Sequence, residues 1–146
     1  MRTGDHIYVW RDAIKGSGDQ LIRHHGIYCG SCSGRDGEYD DWVIDLDVRS
    51  DGSYRIEWQT LRDFSKGREV KVWEHDDEEC FDSEIVIKRA KECLGEGGYN
   101  LFGDNCEHFA NWCKTGYASS EQAERGAESL GRSIGKGIAR WIFGDD

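Results

Sequence analysis

Short apolar runs separated by turn-forming residues fill the first half of the chain. The runs are rich in β-branched and aromatic residues, and they lie at residues 4–10, 21–29, 42–46, 54–58 and 69–73. This composition predicts β-strands, and residues 60–66 have the pattern of a short helical turn. Because the connections between the strands are short, we expect an antiparallel meander.

The pattern becomes helical in the second half. Apolar residues recur at helical spacing over residues 83–93, for which Ser83 is the predicted N-cap. A second helix is predicted to begin at Cys106 and to end at Gly116, where glycine suits a helix stop. A third helical pattern covers residues 120–143, although each of its four glycines costs about 1 kcal/mol relative to alanine. Strands followed by helices predict an α+β fold, with an antiparallel sheet from the N-terminal half packed against helices.

Composition narrows the class of protein. A chain of 146 residues with 37% hydrophobic content suits one ordinary core. The net charge of −10 argues against a nucleic-acid partner, because binding to phosphates depends on lysine and arginine. No N-terminal stretch resembles a signal peptide, and no run approaches the ~20 apolar residues of a membrane span. We therefore expect a soluble, cytoplasmic protein.

The chain has six cysteines, which would suggest disulfides in a secreted protein. Since nothing signals secretion, reduced thiols are expected. Cys29 and Cys32 have the spacing of a zinc half-site, but the other four cysteines are too widely spaced to complete it. The sequence thus predicts neither a metal site nor a cofactor.

Cys106 is the first candidate for chemistry. The preceding residues 97–104 have no helical period, so the thiol lies where a helix begins and feels the positive end of the helix dipole, which favours the thiolate. His24 and His25 are candidate bases on a predicted strand, and they point to opposite faces of it. A carboxylate that orients the imidazole is also needed, and Asp45 on the next strand is a candidate.

Each residue also has a plainer interpretation. A buried cysteine is more often a small hydrophobe, and a histidine on a strand is more often a surface or core residue. Asp45 taken alone suits a solvated position on the outer face of its strand. The three remaining histidines are assigned structural roles: His6, His75 and His108, the last of which faces away from Cys106 on its helix.

Two sequence motifs favour a catalytic role for these residues over the plainer interpretation. His24-His25-Gly26-Ile27-Tyr28 and Asn105-Cys106-Glu107-His108-Phe109 resemble the His and Asn-Cys motifs of the lecithin:retinol acyltransferase-like family, relatives of the NlpC-type cysteine peptidases. Gly4-Asp5-His6-Ile7 and Tyr99-Asn100-Leu101 add to this resemblance, which covers roughly residues 3–117. It implies a circularly permuted papain-like, NlpC-type arrangement.

The resemblance also implies roles for residues. The family pattern selects His24, not His25, as the base for the nucleophile Cys106. Members usually carry a second histidine on the following strand, where this chain has Val43-Ile44-Asp45. In that place Asp45 would orient the imidazole and stabilise its protonated form.

The activity implied by the resemblance is acyl transfer from a phospholipid acyl donor. The Cys106 thiolate would attack the ester, with its own N–H as a candidate oxyanion donor, and the thioester would pass its acyl group to an amine, an alcohol or water. Alternatives are an NlpC-type amidase or peptidase, which shares the nucleophile, and a non-enzymatic interaction domain that retained the fold.

The expected organisation is a catalytic domain at residues 1–117 and an amphipathic helical tail at residues 118–146. The tail combines an apolar stripe with basic residues on another face, which is typical of a helix lying in a membrane interface. Residues 126–146 are therefore a candidate for peripheral membrane contact. Docking of the same helix on its own domain is an equally good interpretation.

Overall fold

A single antiparallel sheet forms the body of the protein. The computed structural model describes residues 1–12, 21–34, 37–48, 53–96 and 106–118. Within these ranges the sheet has five strands: β1 (His6–Asp12), β2 (Leu21–Ser33), β3 (Tyr39–Val48), β4 (Tyr54–Thr60) and β5 (Lys71–Val72). Their order across the sheet is β4-β3-β2-β1-β5. The first four strands therefore form the predicted meander, and β5 pairs with the far side of β1.

Three helices accompany the sheet in the described ranges. They are α1 (Leu61–Ser65), α2 (Ser83–Glu92) and α3 (Cys106–Thr115), and a 3₁₀ turn at Asp77–Glu79 was not predicted. The predicted α+β class with an antiparallel sheet is confirmed. None of these helices has the length and apolar character needed to cross a bilayer. The predicted tail helix at residues 120–143 lies outside the described residues.

Some predicted boundaries were wrong. β2 continues past Cys29 to Ser33 through a register shift between Tyr28 and Gly30, and Gly30 takes φ 90°, which suits a residue without Cβ. The strand predicted at residues 69–73 shrinks to two residues, because it is an edge strand that pairs only with Ile7 and Tyr8.

A further correction concerns the start of α2. Asp82, not Ser83, occupies the N-cap position, since its backbone is extended and the helix begins one residue later. By contrast, α1 has the expected form, because the Thr60 side chain accepts a hydrogen bond from the Asp63 N–H.

The two faces of the sheet bury different helices. One face packs α2 and α3 around a core that includes Ile27, Ile44 and Trp112, and the other packs α1 through Phe64 against Val9 and further apolar residues. Because neighbouring residues of a strand point to opposite faces, β2 and β3 at the centre of the sheet contribute to both cores. This arrangement places α3, with Cys106 as its first residue, against β2.

Arg89 fixes α3 from the side of α2. It is fully buried, and its Nε and Nη2 donate to the Trp112 carbonyl oxygen at 3.2 and 2.9 Å. The Gly116 N–H also donates to that oxygen at 2.9 Å, and Gly116 ends the helix with φ 87°, as predicted. The C-terminal end of α3 is thereby held in place.

Candidate active site

The site lies where β3 separates from β2. Over the described residues, the pairing of these strands begins at Gly26 with Asp45, and β2 residues before Gly26 have no partner on β3. The Cys106 sulfur of α3 occupies this opening. Its Sγ accepts a hydrogen bond from the His25 main-chain N–H at 3.3 Å and lies 4.0 Å from the Arg23 carbonyl oxygen.

The opening brings together the three residues selected from the sequence. The His24 Nε2 lies 2.7 Å from the Asp45 Oδ2, and both side chains are buried. The His24 ring also interacts with Cys106. Asp45 therefore does not occupy the solvated outer position that was the alternative interpretation.

Gly26 makes room for the Phe64 ring of α1 next to His24. A Cβ at that position would lie 2.7 Å from the Val43 Cγ1 and 3.0 Å from the Phe64 Cε2. Since such contacts are too close, a side chain here would displace Phe64, whose ring packs 5.2 Å from the His24 ring between centroids. The glycine of the His-His-Gly string thus allows α1 to cover the His24–Asp45 pair.

Electrostatics favour a protonated His24. Burial alone would lower the pKa of His24, but hydrogen bonds and charges from Asp45 and Cys106 raise it to about 9. Burial raises the pKa of Asp45, whereas the contact with His24 acts in the opposite direction. At neutral pH the protonated ring of His24 therefore interacts with both the Asp45 carboxyl group and the Cys106 sulfur.

One group among the described residues has the composition of a metal site. The potential ligand atoms of His24, Asp45 and Asp47 all lie within 4.8 Å of one another. The His24 Nε2 already bonds the Asp45 Oδ2, and an oxygen of Asp47 lies 3.7 Å from the Arg11 Nη1, while the buried Asp45 Oδ1 has no hydrogen-bond partner among the described residues. The arrangement suits hydrogen-bonded acid–base chemistry better than metal ligation. All six cysteines are free thiols.

His25 belongs to a second group of histidines on the other face of β2. Its Nδ1 lies 2.7 Å from the His6 Nε2, and the His6 Nδ1 lies 2.8 Å from the His75 Nε2. On the side of α3, the His25 Nε2 lies 3.4 Å from the Glu107 Oε1.

The contacts that join His25, His6 and His75 were not predicted from the sequence. His6 carried a usable signal, because the β1–β2 register sets it opposite Ile27, two residues from His25 and on the same face. His75 lies beyond β5 in a segment without strand or helix periodicity, so no pattern indicated its position.

These three imidazoles are neutral at pH 7. Burial lowers the pKa of His25 to about 3, and the positive charges of Arg23 and His24 act in the same direction. Burial likewise lowers the pKa of His6, and it lowers the pKa of His75 to about 4. His24 and His25 are neighbours in sequence, yet one is charged and the other neutral.

Comparisons with known proteins identify one matching family and several relatives. The family profile described as Lecithin retinol acyltransferase matches residues 1–119. Lecithin retinol acyltransferase of Bos taurus is 35% identical over 78 residues, or 51% of this chain and 34% of that protein. Phospholipase A and acyltransferase 2 of Homo sapiens is 38% identical over 63 residues, or 42% of this chain and 39% of that protein.

A plant relative aligns over more of the chain. Protein LEAD-SENSITIVE 1 of Arabidopsis thaliana is 28% identical in an alignment that covers 92% of this chain and 65% of that protein. The chain spans about a third of the length of the lecithin retinol acyltransferases that it matches.

The neutral histidines predict a loss of stability in acid. Below the unfolded-state pKa of about 6.5, the unfolded chain takes up protons that buried His6 cannot, so the free energy of unfolding falls by about 1.4 kcal/mol per pH unit for such a group. Between pH 6.5 and 5.0, wild type should therefore lose about 1.5 kcal/mol more stability than His6→Gln in urea titrations. Equal losses in the two proteins would contradict the neutral state of His6. The shifts at His24 and Asp45 are common to both proteins and cancel in the comparison.

Proposed function

Because the chain belongs to the lecithin retinol acyltransferase family, we propose that it is a thiol-dependent acyltransferase or phospholipase that acts on phospholipid esters through a cysteinyl thioester. The observation that carries this proposal is the position of the Cys106 sulfur beside a His24 ring that is bonded at 2.7 Å to buried Asp45. Nucleophile, base and orienting carboxylate are the parts that covalent acyl transfer requires. The Bos taurus and Homo sapiens relatives are named for acyl transfer, and the latter also for phospholipase A.

In the first half of the reaction, the Cys106 thiolate attacks the ester carbonyl carbon. A carbon–sulfur bond forms, the carbonyl electrons move to oxygen, and the Cys106 N–H at the start of α3 is the candidate donor to that oxyanion. Collapse of the intermediate breaks the ester bond, and His24 gives its proton to the departing alkoxide. The products are a thioester and a lysophospholipid.

In the second half, neutral His24 takes a proton from an amine, an alcohol or water. The acceptor attacks the thioester carbonyl, and the carbon–sulfur bond breaks to return the thiolate. Transfer to water is the phospholipase outcome, and transfer to an amine or alcohol is the acyltransferase outcome. The same residues serve both.

The proposal includes the family's circularly permuted papain-like arrangement. In papain-like enzymes the cysteine precedes the histidine in the chain. Here the order is reversed, with His24 on β2 and Cys106 at the start of α3. The match of the family profile to residues 1–119 supports a catalytic domain at 1–117, followed by a tail at 118–146. A cytoplasmic setting suits the proposal, because a reducing compartment keeps a thiol nucleophile in its active form.

Exposed apolar side chains border the site and form the proposed lipid-facing edge, Trp10, Leu21 and Ile22. They lie at the ends of β1 and β2 and are 38%, 48% and 52% exposed. Arg23 follows directly, and its carbonyl oxygen lies 4.0 Å from the Cys106 sulfur. Contact of this edge with a bilayer would bring the ester region of a phospholipid close to the nucleophile.

Labelling tests the nucleophile. Incubation with a phospholipid that is radiolabelled in its acyl chains should give a labelled protein whose label is released by hydroxylamine, as for a thioester. Cys106→Ala should abolish this label and all acyl transfer to amine or water, while Cys32→Ala should retain both, because Cys32 is an exposed free thiol away from the site. Persistence of the label in Cys106→Ala would rule out the assigned nucleophile.

The pH profile tests the charge of His24. Since the protonated ring must supply a proton to the leaving group, kcat/KM should decline as the pH rises through about 9, the pKa of His24. Asp45→Asn removes a charge that raises this pKa, so its alkaline limb should lie about 1–3 pH units lower. An unchanged limb in the variant would show that Asp45 does not set the proton affinity of the base.

Vesicle binding tests the lipid-facing edge. Burying two half-exposed aliphatic side chains contributes about 2 kcal/mol, so the double variant Leu21→Ser, Ile22→Ser should bind phosphatidylcholine vesicles roughly 30-fold more weakly. Hydrolysis of a soluble short-chain ester should remain unchanged. Tyr39→Ser, at a residue 74% exposed, is the control. If only deletion of residues 126–146 weakens binding, membrane contact belongs to the tail instead.

A further inference from the structure

His25 contacts the nucleophile's helix at two points, although its ring faces away from His24. Its main-chain N–H donates to the Cys106 Sγ at 3.3 Å, and its ring Nε2 lies 3.4 Å from the Glu107 Oε1 in the next residue. The first turn of α3 is therefore tied to β2 through one residue. A displacement of His25 would move the donor that holds the sulfur.

The His25 ring is held on all sides. It stacks on Tyr8 at 5.7 Å between centroids and meets the edge of Trp73 at 5.2 Å. Its Nδ1 bonds His6, which is fully buried and bonds half-buried His75. This chain of three imidazoles runs from the surface at His75 to the start of α3.

The hydrogen bonds of the chain have one consistent direction. A carboxylate such as Glu107 can only accept, so the proton of neutral His25 is assigned to Nε2 and its Nδ1 accepts from the His6 Nε2–H. The His6 Nδ1 must then accept from the His75 Nε2–H. All three rings therefore carry their proton on Nε2.

Burial and the neighbouring cations favour the neutral state of these three imidazoles, whereas the Glu107 carboxylate acts in the opposite direction. Cations face the imidazoles from two elements, Arg23 and His24 on β2 and Lys114 on α3. Because an additional positive charge on His25 would be repelled by Arg23 and His24, the donor–acceptor order is maintained at neutral pH.

We propose that His75, His6 and His25 form a positioning chain for the nucleophile. By fixing the ring of His25, the chain fixes the main-chain N–H that holds the Cys106 sulfur beside His24. These are positioning residues, since none of them contacts the reacting ester. The inference rests on the proposed function only for its effect on turnover, because placement of the sulfur can be measured without a lipid substrate.

Two substitutions of His6 give a matched test. Glutamine places its amide near the position of Nε2 and retains a donor for His25, whereas asparagine places its amide near Nδ1 and loses that donor. In a Cys32→Ala background, the alkylation rate of Cys106 with iodoacetamide at pH 7 should fall at least fivefold in His6→Asn and stay within twofold of wild type in His6→Gln. Equal rates in wild type and a folded His6→Asn would overturn the proposal.

His75→Ala serves if His6→Asn does not fold, because His75 lies at the half-buried end of the chain. It should slow alkylation at least twofold, while Glu74→Ala, an exposed neighbour, should leave the rate unchanged. An unaltered rate in His75→Ala would exclude His75 from the chain. ¹⁵N NMR of wild type should show His6, His25 and His75 protonated at Nε2, and a proton on the His25 Nδ1 would also contradict the proposal.

Acyl transfer separates this inference from the proposed function. If both hold, kcat falls in parallel with the alkylation rate in His6→Asn while KM is unchanged. If wild type transfers no acyl group, the proposed function fails, whereas the alkylation contrast still decides the positioning role.

Discussion

The departure of β3 from β2 after the Gly26–Asp45 pair is the constraint on which the site depends. A strand that continued along β2 would occupy the place that the Cys106 sulfur takes beside the His25 N–H. Here the sulfur satisfies a main-chain donor that would otherwise need a partner. The helix can approach this closely because α3 is held at its far end by Arg89 and packed along one face of the sheet.

The two-residue period of the strand gives the adjacent histidines different environments. His24 points to the face that holds Asp45, and the carboxylate stabilises its proton. His25 points to the opposite face, where burial and the positive charges of Arg23 and His24 lower its pKa and a neutral imidazole is its partner. One dipeptide thus supplies a charged side chain next to the Cys106 sulfur and a neutral ring next to Glu107 in the first turn of α3. The sulfur lies between these two environments.

Much of the fold could be predicted because β1 to β4 are local elements with clear composition and short turns. The start of α3 and the position of Asp45 on the strand after His24 were likewise readable from local pattern. The His6–His25 contact required the register between two strands, and His75 required the path of a segment without periodicity. The boundaries of β5 and α2 depended on edge pairing and on backbone angles at Asp82, which composition does not encode. The tail and the catalytic roles remain predictions.

An aspartate at position 45 has different consequences for the two halves of the proposed reaction. In the free protein, both Cys106 and Asp45 raise the pKa of His24. Once the sulfur is acylated it carries no charge and no longer favours protonation of His24. Of these two groups, Asp45 alone then stabilises the protonated ring. The neutral imidazole that must then deprotonate the acceptor is a stronger base when its conjugate acid is stabilised by a buried carboxylate. Asp45 therefore matters more for delivery of the acyl group than for its capture, and a neutral histidine in its place would give weaker support at that step.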